Sequence, residues 1–201
     1  GPRVASLAHS PAVPAAGAPV TVSCAVNDPD GVGSVTLNYR RDGTATFTAL
    51  PMTLSGGLWS AQIPGQTAAS VVQFYVAALD TLSAQAFGPS KGSDSRALVQ
   101  WADNQSSPLA AHQLRLIMLN ADRDFLLGTF NRLSNERIPG SLVYRGAEVF
   151  YDIGVRLQGT AAGRIRDGES YPGYDIGFPP DHLFRGVHDS VGIDRSGRAP
   201  V

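Results

Sequence analysis

The residues best suited to chemistry lie in the last quarter of the chain. Arg156 and Gln158 alternate with apolar residues in a strand-like pattern, so we expect their side chains on the face opposite the apolar one. The glycine-containing turn 159–163 (GTAAG) follows, and Arg164 and Arg166 come soon after it. Backbone N–H groups of such a turn, with guanidinium groups beside it, can hold a phosphate. Because the chain has no Walker-type loop and no GxGxxG, these residues taken alone favour a solvated hairpin loop instead.

The histidines in the same part of the chain resemble a metal cluster at first sight. His182 follows Asp181, and His188 precedes Asp189. Their spacing places them on a loop and a strand, and the HExxH helix motif of zinc enzymes is missing. We therefore expect structural or solvated histidines here.

The turn NDPDG near the start of the chain offers a different set of ligands. Asn27, Asp28 and Asp30 carry the oxygen atoms that calcium prefers. The same letters are typical of an ordinary turn, which is the interpretation we favour. The sequence therefore predicts no metal site.

Composition limits the function classes. The chain has 201 residues, of which 43% are hydrophobic, and its 16 basic and 17 acidic residues give a net charge of -1. A basic nucleic-acid surface is not indicated, and no apolar run reaches the roughly 20 residues of a membrane span. Lys91 is the only lysine, so no lysine in the second half can pair with a phosphate. Cys24, the single cysteine, lies in an alternating apolar pattern and is expected to be a buried thiol.

The first half of the chain is typical of an antiparallel β-sandwich. After an Ala- and Pro-rich start (1–19), which we expect to be an extended lead-in, about seven short alternating runs are separated by turn residues. Residues 74–80 (FYVAALD) resemble the sixth-strand pattern of fibronectin type III domains. The DPDG turn before residues 32–35 is similar to those of bacterial surface Ig-like modules. We assign residues 1–103 to a fibronectin/Ig-like sandwich and 104–111 to a linker.

The second half, residues 112–201, has an α+β pattern. Leu114 to Leu119 is a mostly apolar run that predicts a strand. Asn120 can cap a helix on which Leu126, Phe130 and Leu133 share one face. The letters IPGS predict a turn that ends this helical unit. Further strands are predicted at 142–144, 148–151, 153–157, 175–178 and 187–194.

Three segments of the second half carry a family resemblance. Residues 151–160 (YDIGVRLQGT) resemble the G-V-R-x-K-G-S segment of the spore coat protein H (CotH) kinase family. Residues 180–188 (PDHLFRGVH) and 193–197 (IDRSG) resemble the segment that follows it. The resemblance implies an atypical protein kinase with a distant kinase-like fold, so that 112–201 would be part of a kinase-like N-lobe. It also implies ATP and Mg²⁺ as cofactors and surface or coat proteins as substrates.

Two departures from the family pattern bear on activity. Gln158 stands where the family has lysine, and Thr160 stands where it has serine. The family's catalytic acids are expected further on, in a lobe beyond this chain. The chain starts without methionine, so we expect it to be an excised fragment. We therefore predict no catalytic residue and no activity for the isolated chain. The predicted nucleotide-binding residues are Arg156, Gln158, Arg164 and Arg166.

Two functions from different classes follow. The first is a fragment of a secreted or cell-envelope kinase, with a spacer or adhesion module before the nucleotide side of the kinase domain. The second is a non-enzymatic surface or adhesion protein of Ig-like type. We expect neither nucleic acid nor a membrane span in either case, and the sequence does not fix the oligomeric state.

Overall fold

The computed structural model describes residues 1–103, 112–128, 130–159 and 173–193. It is mainly β, with 52% of its residues in strands and several antiparallel sheets, which confirms the predicted fold class. Two units follow one another along the chain, here called the sandwich (β1 to β9) and the second sheet (β10 to β14). Among the described residues, no helix has the length and apolar content needed to cross a membrane.

The sandwich is formed by residues 3–101. Its strands are β1 (Arg3–Ser10), β2 (Val20–Asn27), β3 (Val32–Arg41), β4 (Thr48–Pro51), β5 (Thr53–Ser55), β6 (Leu58–Ile63), β7 (Val71–Asp80), β8 (Gln85–Gly88) and β9 (Ala97–Gln100), with a short 3-10 turn at Gly92–Asp94. One sheet has the order β1-β2-β6-β5, and the other has the order β4-β3-β7-β8, with β9 also paired to β7. Apart from an extra edge strand, this is the strand arrangement of immunoglobulin-like sandwiches.

Strict alternation builds the core of the sandwich. In β2 every second residue is buried and lies against the facing sheet, so Cys24 is completely buried, as predicted. Burial raises the pKa of the Cys24 thiol to about 11, because an apolar environment disfavours the thiolate. The thiol is therefore a core side chain and not a nucleophile.

The expected lead-in over residues 1–19 is wrong for its first half. Residues 3–10 form an edge strand that pairs antiparallel with β2, from Arg3 opposite Asn27 to Ser10 opposite Thr21. A bulge between Ala5 and Ala8 interrupts the pairing, which hides the alternation from a reading of the sequence. Pairing with a long neighbouring strand outweighs the weak local preference of this segment.

In the described part of the second unit, five strands form one antiparallel sheet in chain order. They are β10 (Leu114–Ile117), β11 (Ile138–Tyr144), β12 (Glu148–Leu157), β13 (Tyr174–Gly177) and β14 (Ser190–Ile193). Helix α1 (Asn120–Leu127) and a 3-10 turn (Asn131–Leu133) connect β10 to β11. One face of the sheet forms an apolar core with Leu126 of α1.

The helix is shorter than predicted. It ends at Leu127, and Gly128 takes an extended conformation with ψ 146°. As a result Phe130 is 95% exposed and Leu133 is 55% exposed, so the predicted common face with Leu126 is wrong. Asn120 is the first helical residue and not the cap. Its backbone N–H donates to Asp42 Oδ2 of the sandwich at 2.9 Å.

The predicted turn IPGS is also wrong, because residues 138–141 lie inside β11. Ile138 pairs with Val155 and Pro139 with Gly154. The two runs predicted at 148–151 and 153–157 form one strand, β12, with an irregularity near Asp152, whose φ is 51°. The extra residue keeps the side chains on both sides of it directed to the same core.

The other face of the second sheet packs against the sandwich. Leu98 of β9 forms a small buried cluster with Ile117, Leu119 and Val143. The backbone N–H of Leu98 also donates to the Ser141 hydroxyl at 3.0 Å. The two units are therefore joined by a packed and hydrogen-bonded boundary.

Candidate functional site

A charged cluster occupies the face of the second sheet that lies opposite its apolar core. Arg156 Nη2 lies 2.8 Å from Asp175 Oδ2, and Arg137 Nη2 lies 2.6 Å from Asp175 Oδ1. Arg137 also donates from Nη1 to the carbonyl oxygens of Gly154 (3.1 Å) and Asp175 (3.2 Å). Two guanidinium groups thus share one carboxylate, and the cluster has a net charge of +1.

Strand register brings these residues together. In the β12–β13 pair, Arg156 lies opposite Asp175 and Gly154 lies opposite Gly177. The Arg156 side chain and the open face of Gly154 are directed away from the core, because Val155 between them is completely buried. Gly154 and Arg156 of β12 and the residues opposite them on β13 therefore form a single polar patch.

Two glycines make room for Arg137. A Cβ on Gly177 would lie 2.9 Å from Cζ of Arg137, and a Cβ on Gly154 would lie 2.9 Å from its Cβ. Both distances are shorter than real contacts allow, so the arginine can lie flat on the sheet only over glycine. This close approach holds the guanidinium group at Asp175.

The electrostatics of Asp175 follow from its two partners. Burial acts to raise the pKa of this carboxyl, but hydrogen bonds and charges from Arg156 and Arg137 outweigh burial and lower the pKa. Asp175 is therefore ionised at neutral pH. A phosphate that approaches Arg156 or Arg137 has to compete with this carboxylate.

Gln158 lies at the end of β12 and is exposed. Its backbone N–H donates to the carbonyl of Gly173 at 2.8 Å. Its side-chain amide extends over Gly173 and Gly192, and its Nε2 lies 3.3 Å from the position of a Cβ on Gly192. Glutamine can donate to a phosphate oxygen, but it does not supply the charge of a lysine.

The structure describes two of the four predicted nucleotide-binding residues. Arg156 and Gln158 lie on β12 and just after it, whereas Arg164 and Arg166 fall outside the described residues. Their predicted role stays a prediction. The sequence analysis missed Arg137, because the strand that begins at Ile138 was interpreted as a turn, and strand register cannot be read from local letters.

A cleft of about 390 Å³ opens beside the arginine cluster. Its lining includes Arg137, Asp152, Gly177 and Asp189. Oxygen atoms and one guanidinium group thus face the same space, so the cleft has mixed charge. It is wide enough for a small polar group next to Arg137.

His182 and His188, which are predicted to be structural or solvated, are both exposed. The ring of His182 lies 4.5 Å from the Phe150 ring, centroid to centroid, and His188 pairs through its backbone with Phe184. Within the described segments, the group of side chains with metal-ligand spacing lies elsewhere, at Asp28, Asp30 and Asp80 in the sandwich.

A buried polar pair lies where the sandwich meets the second sheet. His9 Nδ1 and the Tyr151 hydroxyl are 2.7 Å apart, and both rings contact Phe74 edge to face. Burial lowers the pKa of His9 to about 4 and raises that of Tyr151. Both side chains are neutral at pH 7, so they anchor the boundary and do not act as an acid and a base there.

Comparisons with known proteins give no family. No family model matches the chain, and no curated protein matches it. Among solved structures, the Br derivative of BhCBM56 is 14% identical at a TM-score of 0.29, over 43% of this chain and 80% of that chain. The cycloalternan-degrading enzyme from Trueperella pyogenes is 14% identical at a TM-score of 0.33, over 75% of this chain and 18% of that chain. Similarities this low carry no argument about function.

Proposed function

We propose that this chain is the nucleotide-side part of a CotH-like protein kinase, preceded by a sandwich that acts as a spacer or adhesion module. The observation that carries the proposal is the pair of guanidinium groups, Arg137 and Arg156, that meet at Asp175 on the open face of β12 and β13. Guanidinium groups bind phosphate oxygens in a forked geometry, and the surplus positive charge favours an anion. The segment that resembles the kinase family contains Arg156.

The chain's own residues fit the phosphates of a nucleotide better than they fit a metal. Arg156 and Gln158 provide donors on one face, and Arg137 adds a second guanidinium group. Asp175 is the carboxylate of this cluster, and both of its oxygens face arginines, so it is not free to hold Mg²⁺. ATP would supply the phosphoryl group, while the metal needs carboxylates from a further part of a kinase.

Activity and location follow from the same proposal. A kinase needs acids to hold the metal and to accept the hydroxyl proton, and in the described cluster both oxygens of Asp175 face arginines, so we expect this chain to transfer no phosphate. The substrates of the complete protein would be surface or coat proteins, and the protein would be secreted or held at the cell envelope, as the family resemblance implies.

Two observations favour the alternative, a non-enzymatic surface protein. Arg156 is already paired with Asp175, and Gln158 occupies the position of the family's lysine. In this alternative the charged cluster only stabilises the sheet, and the two β units provide adhesion or spacing.

Nucleotide titration separates the two functions. We expect ATP with Mg²⁺, at about ten times its Kd, to raise the Tm of the chain by roughly 3 °C. Arg156→Gln should abolish this shift. Arg123→Gln, which changes an exposed arginine of α1, should retain it. If ATP leaves the Tm of the unmodified chain unchanged, the kinase proposal fails and the surface-protein alternative is supported. A phosphotransfer assay on the same preparation should give no product.

A further inference from the structure

Three aspartates converge at one end of the sandwich, although Asp80 is far along the sequence from Asp28 and Asp30. Asp28 and Asp30 lie in the turn between β2 and β3, and Asp80 is the last residue of β7. One carboxylate oxygen from each of the three lies within 4.8 Å of the other two. The proximity of Asp80 depends on the pairing of β3 with β7, in which Val32 lies opposite Asp80.

Backbone N–H groups hold two of these carboxylates in place. Asp28 Oδ1 accepts from the N–H of Asp30 at 2.8 Å, and Asp80 Oδ1 accepts from Leu82 and Ala84 at 2.9 and 2.7 Å. The two turns are also tied together, because the Thr81 hydroxyl donates to the Asp30 carbonyl at 2.7 Å. Oδ1 of Asp28 and Oδ1 of Asp80 thus accept hydrogen bonds, which leaves Oδ2 of both residues to face the shared space.

The second oxygen of Asp28 has no hydrogen-bond partner although it is buried. The Asp28 side chain is 0% exposed, and Oδ2 makes no hydrogen bond. The Asp80 side chain is 2% exposed, and its Oδ2 faces the same point. The Gly1 ammonium nitrogen forms a long ion pair with each, 3.8 Å from Asp28 Oδ2 and 3.9 Å from Asp80 Oδ2, but it lies beyond hydrogen-bond distance of both. Buried carboxylate oxygens without a donor are costly unless a cation compensates them.

We propose that Asp28, Asp30 and Asp80 form a calcium-binding site. All three ligands are oxygen atoms, which favours a hard cation over zinc. Calcium takes six to eight oxygens at about 2.3–2.6 Å in flexible geometry, so ligand atoms separated by up to about 5 Å fit around it, whereas magnesium requires a tighter octahedron. Water and nearby carbonyl groups complete the shell. The ion would lock the start of β3 to the end of β7.

The site is independent of the nucleotide proposal, because it lies in the sandwich and uses none of the residues of the arginine cluster. Its affinity should resemble that of extracellular calcium modules, with Kd of about 10⁻⁴–10⁻³ M.

Calcium titration of the chain, freed of metal with EDTA and followed by calorimetry and by Tm, tests the site. We expect saturable binding of one Ca²⁺ and a Tm rise of roughly 5 °C at 10 mM Ca²⁺, with a smaller effect of Mg²⁺. Asp28→Asn and Asp30→Asn should each weaken binding at least about tenfold. Asp94→Asn, which changes an exposed aspartate of the same unit, should bind Ca²⁺ as the unmodified chain does.

The same variants distinguish a ligand from a purely structural residue. Asparagine keeps the oxygen that accepts the backbone N–H bonds and removes one negative charge. Asp28→Asn should therefore melt at the same or a higher temperature than the unmodified chain in EDTA, and lose its response to Ca²⁺. Equal destabilisation with and without Ca²⁺ would assign Asp28 to the turn alone and overturn the proposal.

The Gly1 nitrogen is the competing occupant. Acetylating this amine removes its positive charge, and we expect the acetylated chain to bind Ca²⁺ at least as tightly as the free amine form. If acetylation instead lowers the Tm and Ca²⁺ does not restore it, the Gly1 ammonium group is the counter-ion of these carboxylates in this chain and the calcium site is refuted.

Discussion

The two halves of one sheet face differ sharply. The covered half, formed by Ser141, Val143, Val149 and Tyr151, packs on the sandwich and is neutral. The open half, formed by Arg137, Gly154, Arg156, Asp175 and Gly177, carries the charged cluster. Strand β12 supplies residues to both halves. The difference shows that the alternation of a strand decides which side chains are directed away from its core. The neighbouring unit then decides whether those side chains are buried at the boundary or form an exposed polar patch.

The largest effect is expected in the covered half. Leu98 of β9 is completely buried between the two units, and Leu98→Ala should lower the free energy of unfolding by about 2–5 kcal/mol, because it leaves a cavity. Leu82→Ala, at a site that is 72% exposed, should change it by less than about 0.5 kcal/mol. Urea unfolding, followed by signals from both units, provides the measurement. If Leu98→Ala leaves the stability of both units unchanged, the boundary does not stabilise the protein.

A second effect in the covered half depends on pH. The pKa of His9 is about 4 in the folded chain and about 6.5 when unfolded, so the unfolded state binds more protons between these values. Stability should therefore fall as pH is lowered from about 6.5 towards 4, by roughly 3 kcal/mol in total from this group.

The variant His9→Gln isolates that contribution. The difference in unfolding free energy between the unmodified chain and His9→Gln should shrink as pH falls through this window, because only the former has an imidazole that gains a proton on unfolding. His188→Gln, at an exposed histidine, should keep the slope of the unmodified chain. A slope that is the same with and without His9 would show that its neutral, buried state is not linked to folding.

The smallest effect on stability is expected in the open half. Asp175→Asn removes the shared carboxylate, but the arginine side chains are 34% exposed and solvent screens the loss, so we expect less than about 1 kcal/mol. The same change frees two guanidinium groups and should tighten the binding of ATP. Asp181→Asn serves as the exposed control, and chemical denaturation combined with ATP titration measures both effects. Unchanged ATP binding in Asp175→Asn would indicate that the open half is not a phosphate site.

Local pattern predicted much of the sandwich and some of the second sheet. Alternation correctly placed β2, β3 and β7, the burial of Cys24, and the outward direction of Arg156, because side-chain direction in a strand depends only on position. It failed where pairing overrides local preference. Part of the predicted lead-in forms β1, and the residues predicted to form the IPGS turn lie in β11. The helical pattern through Phe130 and Leu133 also continued in the sequence after the helix had ended.

The candidate sites show the same limit. The sequence singled out Arg156 and Gln158, and it noted Asp28 and Asp30 as possible calcium ligands while favouring a plain turn. It gave no reason to add Arg137, Asp175 or Asp80, since each reaches its cluster through strand register across tens of residues.

The sequence by itself determined the mainly β class, the alternation that sorts core from surface, and the residue types able to bind phosphate or calcium. These are local properties, set by side-chain chemistry and by the two-residue period of a strand. Only the tertiary structure decided that Asp175 neutralises Arg156, that Asp80 joins Asp28, and that Tyr151 is buried against His9. Each of these contacts joins residues distant along the chain. Strand pairing within a sheet selects the first two, and the packing of the second sheet on the sandwich selects the third.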